Sequence, residues 1–177
     1  MKARNLFLLL ITSSNLILIL CISLLNSLLG SWGVFLFLPG LFFLPHYQLL
    51  DSYRCIFCLL VSGFLVDHFF NYVFGFHAFL FAVIYFVSKE FFHIGKQSFK
   101  QILIYQLTAN LILALVWLLY TGIADSNGSA WGFRRFFSDF SISSILMIPL
   151  SLWYSQFCNQ ILYIFGSASL PHFATTK

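Results

Sequence analysis

Charge is what this chain has least of. Charged residues make up 8% of its 177 positions and only five of them are acidic, against 60% hydrophobic residues that include 24 phenylalanines. A soluble domain needs a polar surface that this composition cannot supply, so the chain reads as an integral membrane protein. Its formal charge of +4 comes from nine Lys and Arg set against those acids. That balance reads as membrane topology, and no nucleic-acid partner is expected. Cys55-x-x-Cys58 has no second pair to complete a zinc or redox site. All four cysteines (Cys21, Cys55, Cys58, Cys158) sit in apolar runs, where a thiol is usually a small buried hydrophobe. There is no series of intramembrane carboxylates for a proton relay, no His and Glu cluster for a membrane metalloprotease, and no nucleophile paired with a base. An enzyme is therefore disfavoured, and neither a cofactor nor a metal is expected. The N-terminal run imitates a signal peptide but lacks an A-x-A site, so it reads as a retained helix. The flank of Cys21 argues against lipidation. No linker and no internal repeat divides residues 1–177, which read as one membrane domain.

What is present is a series of long apolar runs near 6–29, 34–50, 53–70, 74–92, 100–121 and 141–166. A span needs about 20 apolar residues, so the chain has room for six crossings. The expected fold is an all-α polytopic bundle of six transmembrane helices. The second run is the weakest of them, because Gly33, Pro39, Gly40 and Pro45 interrupt it and proline breaks the backbone ladder that lipid requires. A kinked or broken span is expected there. Only a few residues around Asn71 to Phe74 separate the third and fourth runs, which must form a tight antiparallel hairpin.

Placing the N-terminus inside puts Lys2, Arg4, Arg54, Lys89, Lys96, Lys100 and Lys177 in the cytoplasm, against Arg134 and Arg135 outside. Both termini are then cytoplasmic. The outer segment from Thr121 to Phe140 carries Trp131, Phe133, Phe136, Phe137 and Phe140, and reads either as an amphipathic turn in the headgroup zone or as an irregular loop. Asn127-Gly128-Ser129 matches a glycosylation sequon, a weak signal on its own. The Lys89, Glu90, His93, Lys96, Lys100 group has two readings, contact with anionic lipid or a cytoplasmic protein and orientation alone, and orientation alone suffices.

The polar residues inside spans carry the functional information. Gly63, Asp67 and Asn71 recur every fourth residue and share one helix face. A carboxylate at a helix centre costs about 2.5 to 3.5 kcal/mol on insertion scales. Asp67 lies about 21 Å along the helix from Tyr53, near the hairpin, where that cost is lower. Two readings stay open for it: with Asn71 it caps the next helix or bonds the turn, or it contacts a partner directly. His68 and His77 flank the turn, but two histidines and one carboxylate are weak evidence for a metal. Gln106 and Asn110, one turn apart, and the Ser151, Ser155, Asn159 stripe read as interhelical contacts worth about 0.6 to 2 kcal/mol each.

Gly63, Asp67, Gly75 and His77-Ala78, at these spacings, resemble the signature hairpin of the MreD family, rod shape-determining membrane proteins of bacteria. The six-span plan, the length and the N-in orientation are also similar to that family. Between Asp67 and Gly75 the sequence departs from the small turn residues common there, with His68, Phe69, Phe70, Tyr72 and Val73 in their place. The resemblance implies a non-enzymatic subunit of the cell-elongation complex in the bacterial inner membrane. It would bind a single-span MreC-like protein and be linked to the MreB-like filament and the peptidoglycan synthase. Gly63, Asp67, Asn71, Gly75, His77 and Ala78 are the expected interaction or structural hairpin residues. The alternative expectation is a substrate-binding subunit of a vitamin-type importer, with an outward cavity lined by Trp131, Asp125, Asp139 and His77.

Overall fold

The computed structural model describes residues 2–43, 52–93, 98–124 and 133–166. Over them the chain forms five α-helices, α1 (Lys2–Leu29), α2 (Ser52–Phe69), α3 (Phe76–His93), α4 (Phe99–Ala124) and α5 (Phe133–Gly166). Short 3-10 turns at Gly30–Trp32 and Pro39–Phe42 complete the described residues, which include no strand. Four helices, α1, α2, α4 and α5, are long and apolar enough to cross a membrane, while the apolar part of α3, Phe76–Ser88, is shorter. Lipid offers no hydrogen bonds, so an apolar run without interruption closes its backbone onto itself as a helix.

The expected second helix is absent over its described part, residues 34–43. Gly33 ends the first helical stretch at φ +71°, its N–H bonding Gly30 C=O at 3.1 Å while Val34 N–H reaches Leu29 C=O at 3.3 Å. Residues 34–38 then run without helical hydrogen bonds into the turn at Pro39. Leu36, Phe37, Leu38, Leu41, Phe42 and Phe43 are all buried. Non-helical backbone at membrane depth is tolerated only when protein covers it. Here α1, α4 and α5 cover it.

The N–H groups of Phe35, Leu36, Phe37 and Gly40 bond to Asp139 Oδ1 at 3.2 Å, Asn26 Oδ1 at 2.6 Å, Ser143 Oγ at 2.8 Å and Asn110 Oδ1 at 3.0 Å. The carbonyls of Leu36 and Phe37 accept from Asn26 Nδ2 at 3.0 Å and Asn110 Nδ2 at 2.9 Å. Gln106 Nε2 serves the carbonyls of Leu41 and Phe43 at 3.3 and 3.2 Å, and its Oε1 accepts from Ser151. Gln106 and Asn110 thus do more than join helices. Their main duty is to replace the backbone ladder that Pro39 and Gly40 interrupt.

Direction follows from which residues meet. Thr12 and Asn15 of α1 bond Cys58 and Ser62 of α2 in the same order along both helices, so α1 and α2 are parallel. A second difference lies at α5, which starts at Phe133 rather than near 141 and runs for 34 residues, about 50 Å. The expected turn or loop before it is helical from Phe133 onward. Phe136 and Asp139 pack inward on that added length, whereas Arg134, Arg135 and Phe137 stay exposed. Asp125, Trp131, the Asn127-Gly128-Ser129 sequon, Lys96 and Lys177 lie outside the described residues, as do the side chains of Lys2, Arg4, Lys89, Glu90 and His93.

Candidate functional site

The α2–α3 junction gathers most of the motif residues into one place. Helix α2 ends when Asn71 adopts φ +55°, a left-handed conformation that asparagine tolerates better than most residues. Tyr72 N–H then bonds back to Asp67 C=O at 2.9 Å, closing the terminal carbonyls. Asn71 itself is exposed. Gly75, at φ +90°, turns the chain into α3. A Cβ on Gly75 would meet only Phe64, at 3.7 Å, so the backbone angle rather than space requires glycine there. Gly75→Ala should accordingly cost about 1 to 2 kcal/mol. Asn71→Gly, by contrast, should stay within about 0.5 kcal/mol of the parent. Unfolding by SDS titration in mixed micelles measures both.

Asp67 is the hub of the junction. Its Oδ2 accepts from Gly75 N–H at 2.9 Å and its Oδ1 from His77 N–H at 3.1 Å, so the carboxylate caps the first turn of α3. His77 Nδ1 lies 2.8 Å from Oδ1. A carboxylate only accepts, which places the ring proton on Nδ1. A negative group at a helix N-terminus is also favoured by the helix dipole. Four residues earlier, Gly63 meets the start of α3 directly: a Cβ there would sit 2.4 Å from Ala78 Cα and 2.8 Å from His77 C. The close approach of Gly63 to Ala78 brings Asp67 within reach of the helix start.

The acid and the imidazole face inward. Asp67 is 1% exposed and His77 0%. The rings of Phe37, Tyr72, Phe76, Phe81 and Trp117 surround the imidazole, with centroids between 4.8 Å (Tyr72) and 6.4 Å (Trp117) away. His77 Nε2 is buried and has no hydrogen-bond partner among the described residues. Burial, reinforced by the negative charge of Asp67, pushes the Tyr72 phenol well above its ordinary range, so it stays protonated. The cap reading of Asp67 matches this geometry. The other reading, in which acid and imidazole meet a partner chain, does not, because the chain's own residues enclose both groups. What the junction presents outward is Asn71, Val73 and the stacked pair Phe64 and Phe74, Phe74 being 74% exposed.

The remaining candidates are dispersed. His68 faces outward against Phe69 and does not join His77. Among the described residues no three His, Cys, Asp or Glu side chains come together as a metal group. Cys58 is buried, accepting from Thr12 Oγ1 at 3.5 Å, while Asn15 bonds both Ser62 and Tyr154. Asp139, expected to line a ligand cavity, instead holds Phe35 N–H and lies 3.6 Å from Arg135 Nε. Beside residues 35–39 and Phe70, an apolar cavity of about 10 Å³ has room for about one water molecule. Sequence reasoning missed Asn15, Asn26, Asp139 and Ser143 as structural donors and acceptors. For Asn26, Asp139 and Ser143 a signal was present, since isolated polar side chains in a chain with a Pro-Gly break have backbone to satisfy, whereas Asn15 bonds side chains of α2 and α5.

The chain matches no protein-family model, no curated protein and no solved structure.

Proposed function

We propose that the chain is a non-enzymatic subunit of the bacterial cell-elongation machinery, similar to MreD. In this reading it binds a single-span MreC-like protein in the inner membrane and helps organise the MreB-like filament and the peptidoglycan synthase. The observation that supports it is the convergence of Gly63, Asp67, Gly75, His77 and Ala78 on one junction. These are the residues on which the resemblance rests, and each has a distinct duty: close approach, cap, turn and packed helix start. A motif whose members explain one another physically is a stronger pointer than five scattered matches.

The six-crossing arrangement belongs to the same proposal. Parallel α1 and α2 imply a return traverse between them, and with α3, α4 and α5 alternating in direction both chain ends fall on one side. The excess of Lys and Arg at that side makes it cytoplasmic.

Purification from native membranes tests the proposal. The expected result is recovery of a single-span partner of MreC type, normalised to the amount of this chain in the membrane. Recovery of an ATPase-coupled partner, or of a small ligand retained through purification, would replace the elongation reading with the importer one.

A further inference from the structure

The apolar bands of the helices differ in height between two sides of the bundle. The span of α1 covers Asn5–Trp32, 28 residues, and that of α5 Arg134–Gln160, 27 residues, each about 40 Å long. Helix α2 has 18, Ser52–Phe69, and the apolar part of α3 runs only from Phe76 to Ser88, about 20 Å. On α2 the exposed Phe57 and Phe64 are bounded by exposed His68 and Asn71 at the hairpin and by exposed Ser52 and Tyr53 at the other end. Tyr53 to His68 is about 22 Å. Helix α3 repeats that height. Gly63 meets Ala78, and Ser52 lies eleven residues from the one as Lys89 does from the other, so the first charged position of α3 falls level with the start of α2.

The bands part at the hairpin end. The bonds from Thr12 to Cys58 and from Asn15 to Ser62 put Tyr53 level with Leu6 or Phe7, just inside the α1 span, and His68 level with Cys21 or Ile22. Beyond that level α1 continues for roughly 15 Å, with Leu24, Leu28 and Trp32 exposed. Trp32 suits the headgroup zone, as do exposed Arg134 and Arg135 at the start of α5, whose Asp139 holds Phe35. A hydrocarbon core is about 30 Å thick, so the α2–α3 side falls short by about 8 Å. Tilting the bundle does not fit both sides, because tilt that shortens the α1 band shortens the parallel α2 band as well. A short band is met by a thinner bilayer, by side chains reaching for headgroups, or by association. The imidazole of His68 and the carboxamide of Asn71 are too short to span the difference.

We infer that the exposed α2–α3 face thins the bilayer on one side of this bundle. Headgroups are drawn down to the level of His68 and Asn71 there, while hydrocarbon keeps its full height against α1 and α5. The occupant of the face is bilayer lipid: a short apolar band with a polar rim is complementary to acyl chains below and headgroups above. On this side alone, a polar group entering the membrane has less hydrocarbon to pass. The inference is independent of the elongation-complex reading and of which side is cytoplasmic.

The test uses the full chain with exposed Cys21 replaced by alanine and one nitroxide attached, reconstituted in dioleoylphosphatidylcholine vesicles. Depth is read from the relaxation of the nitroxide by oxygen against that by a water-soluble nickel chelate. His68→Cys and Leu24→Cys carry the label at exposed positions. Thinning puts label 68 in the headgroup zone and label 24 about 12 Å deeper, the helical distance from Leu24 to Trp32. A flat bilayer reverses the order: Leu24 lies two or three residues nearer the hairpin end than the level of His68, so label 68 would be the deeper by about 4 Å. Val73→Cys, exposed in the turn, is a second probe of the low rim and should also report headgroups. All labelled proteins should share the parent's SDS unfolding midpoint. Labels 68 and 73 deeper than label 24, or spin–spin broadening at label 68 that dilution with unlabelled protein removes, would overturn the inference, the second result assigning the face to another copy of the chain.

Discussion

Asp67→Ala should destabilise the folded chain by about 3 to 5 kcal/mol, one of the two largest effects we expect. The substitution removes the acceptor for Gly75 N–H, His77 N–H and His77 Nδ1 together. Both groups of His77 are fully buried and lose their partner, and each unpaired donor costs about 1 to 3 kcal/mol. The deleted carboxylate also leaves a void beside the aromatic rings around His77, although the removed desolvation of the acid offsets part of the loss. Asp67→Asn should cost less, since its carbonyl oxygen still accepts from the backbone. SDS-driven unfolding in mixed micelles measures the difference. Because the acid is enclosed, recovery of any partner with Asp67→Ala should fall in proportion to the folded fraction, with no additional loss. A larger loss would mean that the acid contacts the partner directly.

Gly40→Ala should be comparably damaging, by about 3 kcal/mol or more. Its Cβ would stand 2.4 Å from the Gln106 carbonyl oxygen and 2.7 Å from Asn110 Cβ. Two of the three nearest atoms belong to the backbone of α4, which cannot turn aside as a side chain can, so overpacking reaches or passes the upper end of its usual range. The shift would also strain the Gly40 N–H bond to Asn110 and the bonds from Gln106 to Leu41 and Phe43. Gly30→Ala is the control. Nothing lies within 4 Å of a Cβ there, and its effect should stay within about 0.5 kcal/mol. The same micelle titration reports both, and equal midpoints for the two variants would contradict the tight packing of residues 39–42 on α4.

The sequence made the helical class legible, because uninterrupted apolar runs in lipid have one economical backbone solution. It also made the hairpin legible: the four-residue spacing of Gly63 and Asp67 and the short gap to Gly75 leave little freedom. The direction in which the acid and imidazole point was not legible. One face of α2 is polar and small in either case, and only the Gly63–Ala78 approach decides that α3 covers it. The fate of residues 34–43 was half legible. Pro39 and Gly40 announced a break, but hydropathy scores composition, and a buried non-helical stretch of Leu and Phe scores like a helix. The start of α5 was misplaced for a related reason. Arg134, Arg135, Ser138 and Asp139 depress the apolar average, although Phe136 and Asp139 project inward on one face.

The broken segment also sets an order of events at the ribosome. Gly40 waits for Asn110, 70 residues downstream, and Phe35 and Phe37 for Asp139 and Ser143, 104 and 106 residues downstream. At about 5 to 20 residues per second, synthesis of a stretch of that length takes roughly 4 to 20 s. During that interval the segment lacks most of the groups that will satisfy its backbone, so it cannot enter hydrocarbon as a finished span. It can settle only once α4 and α5 have been made, so this internal segment takes its place after helices that follow it in the chain.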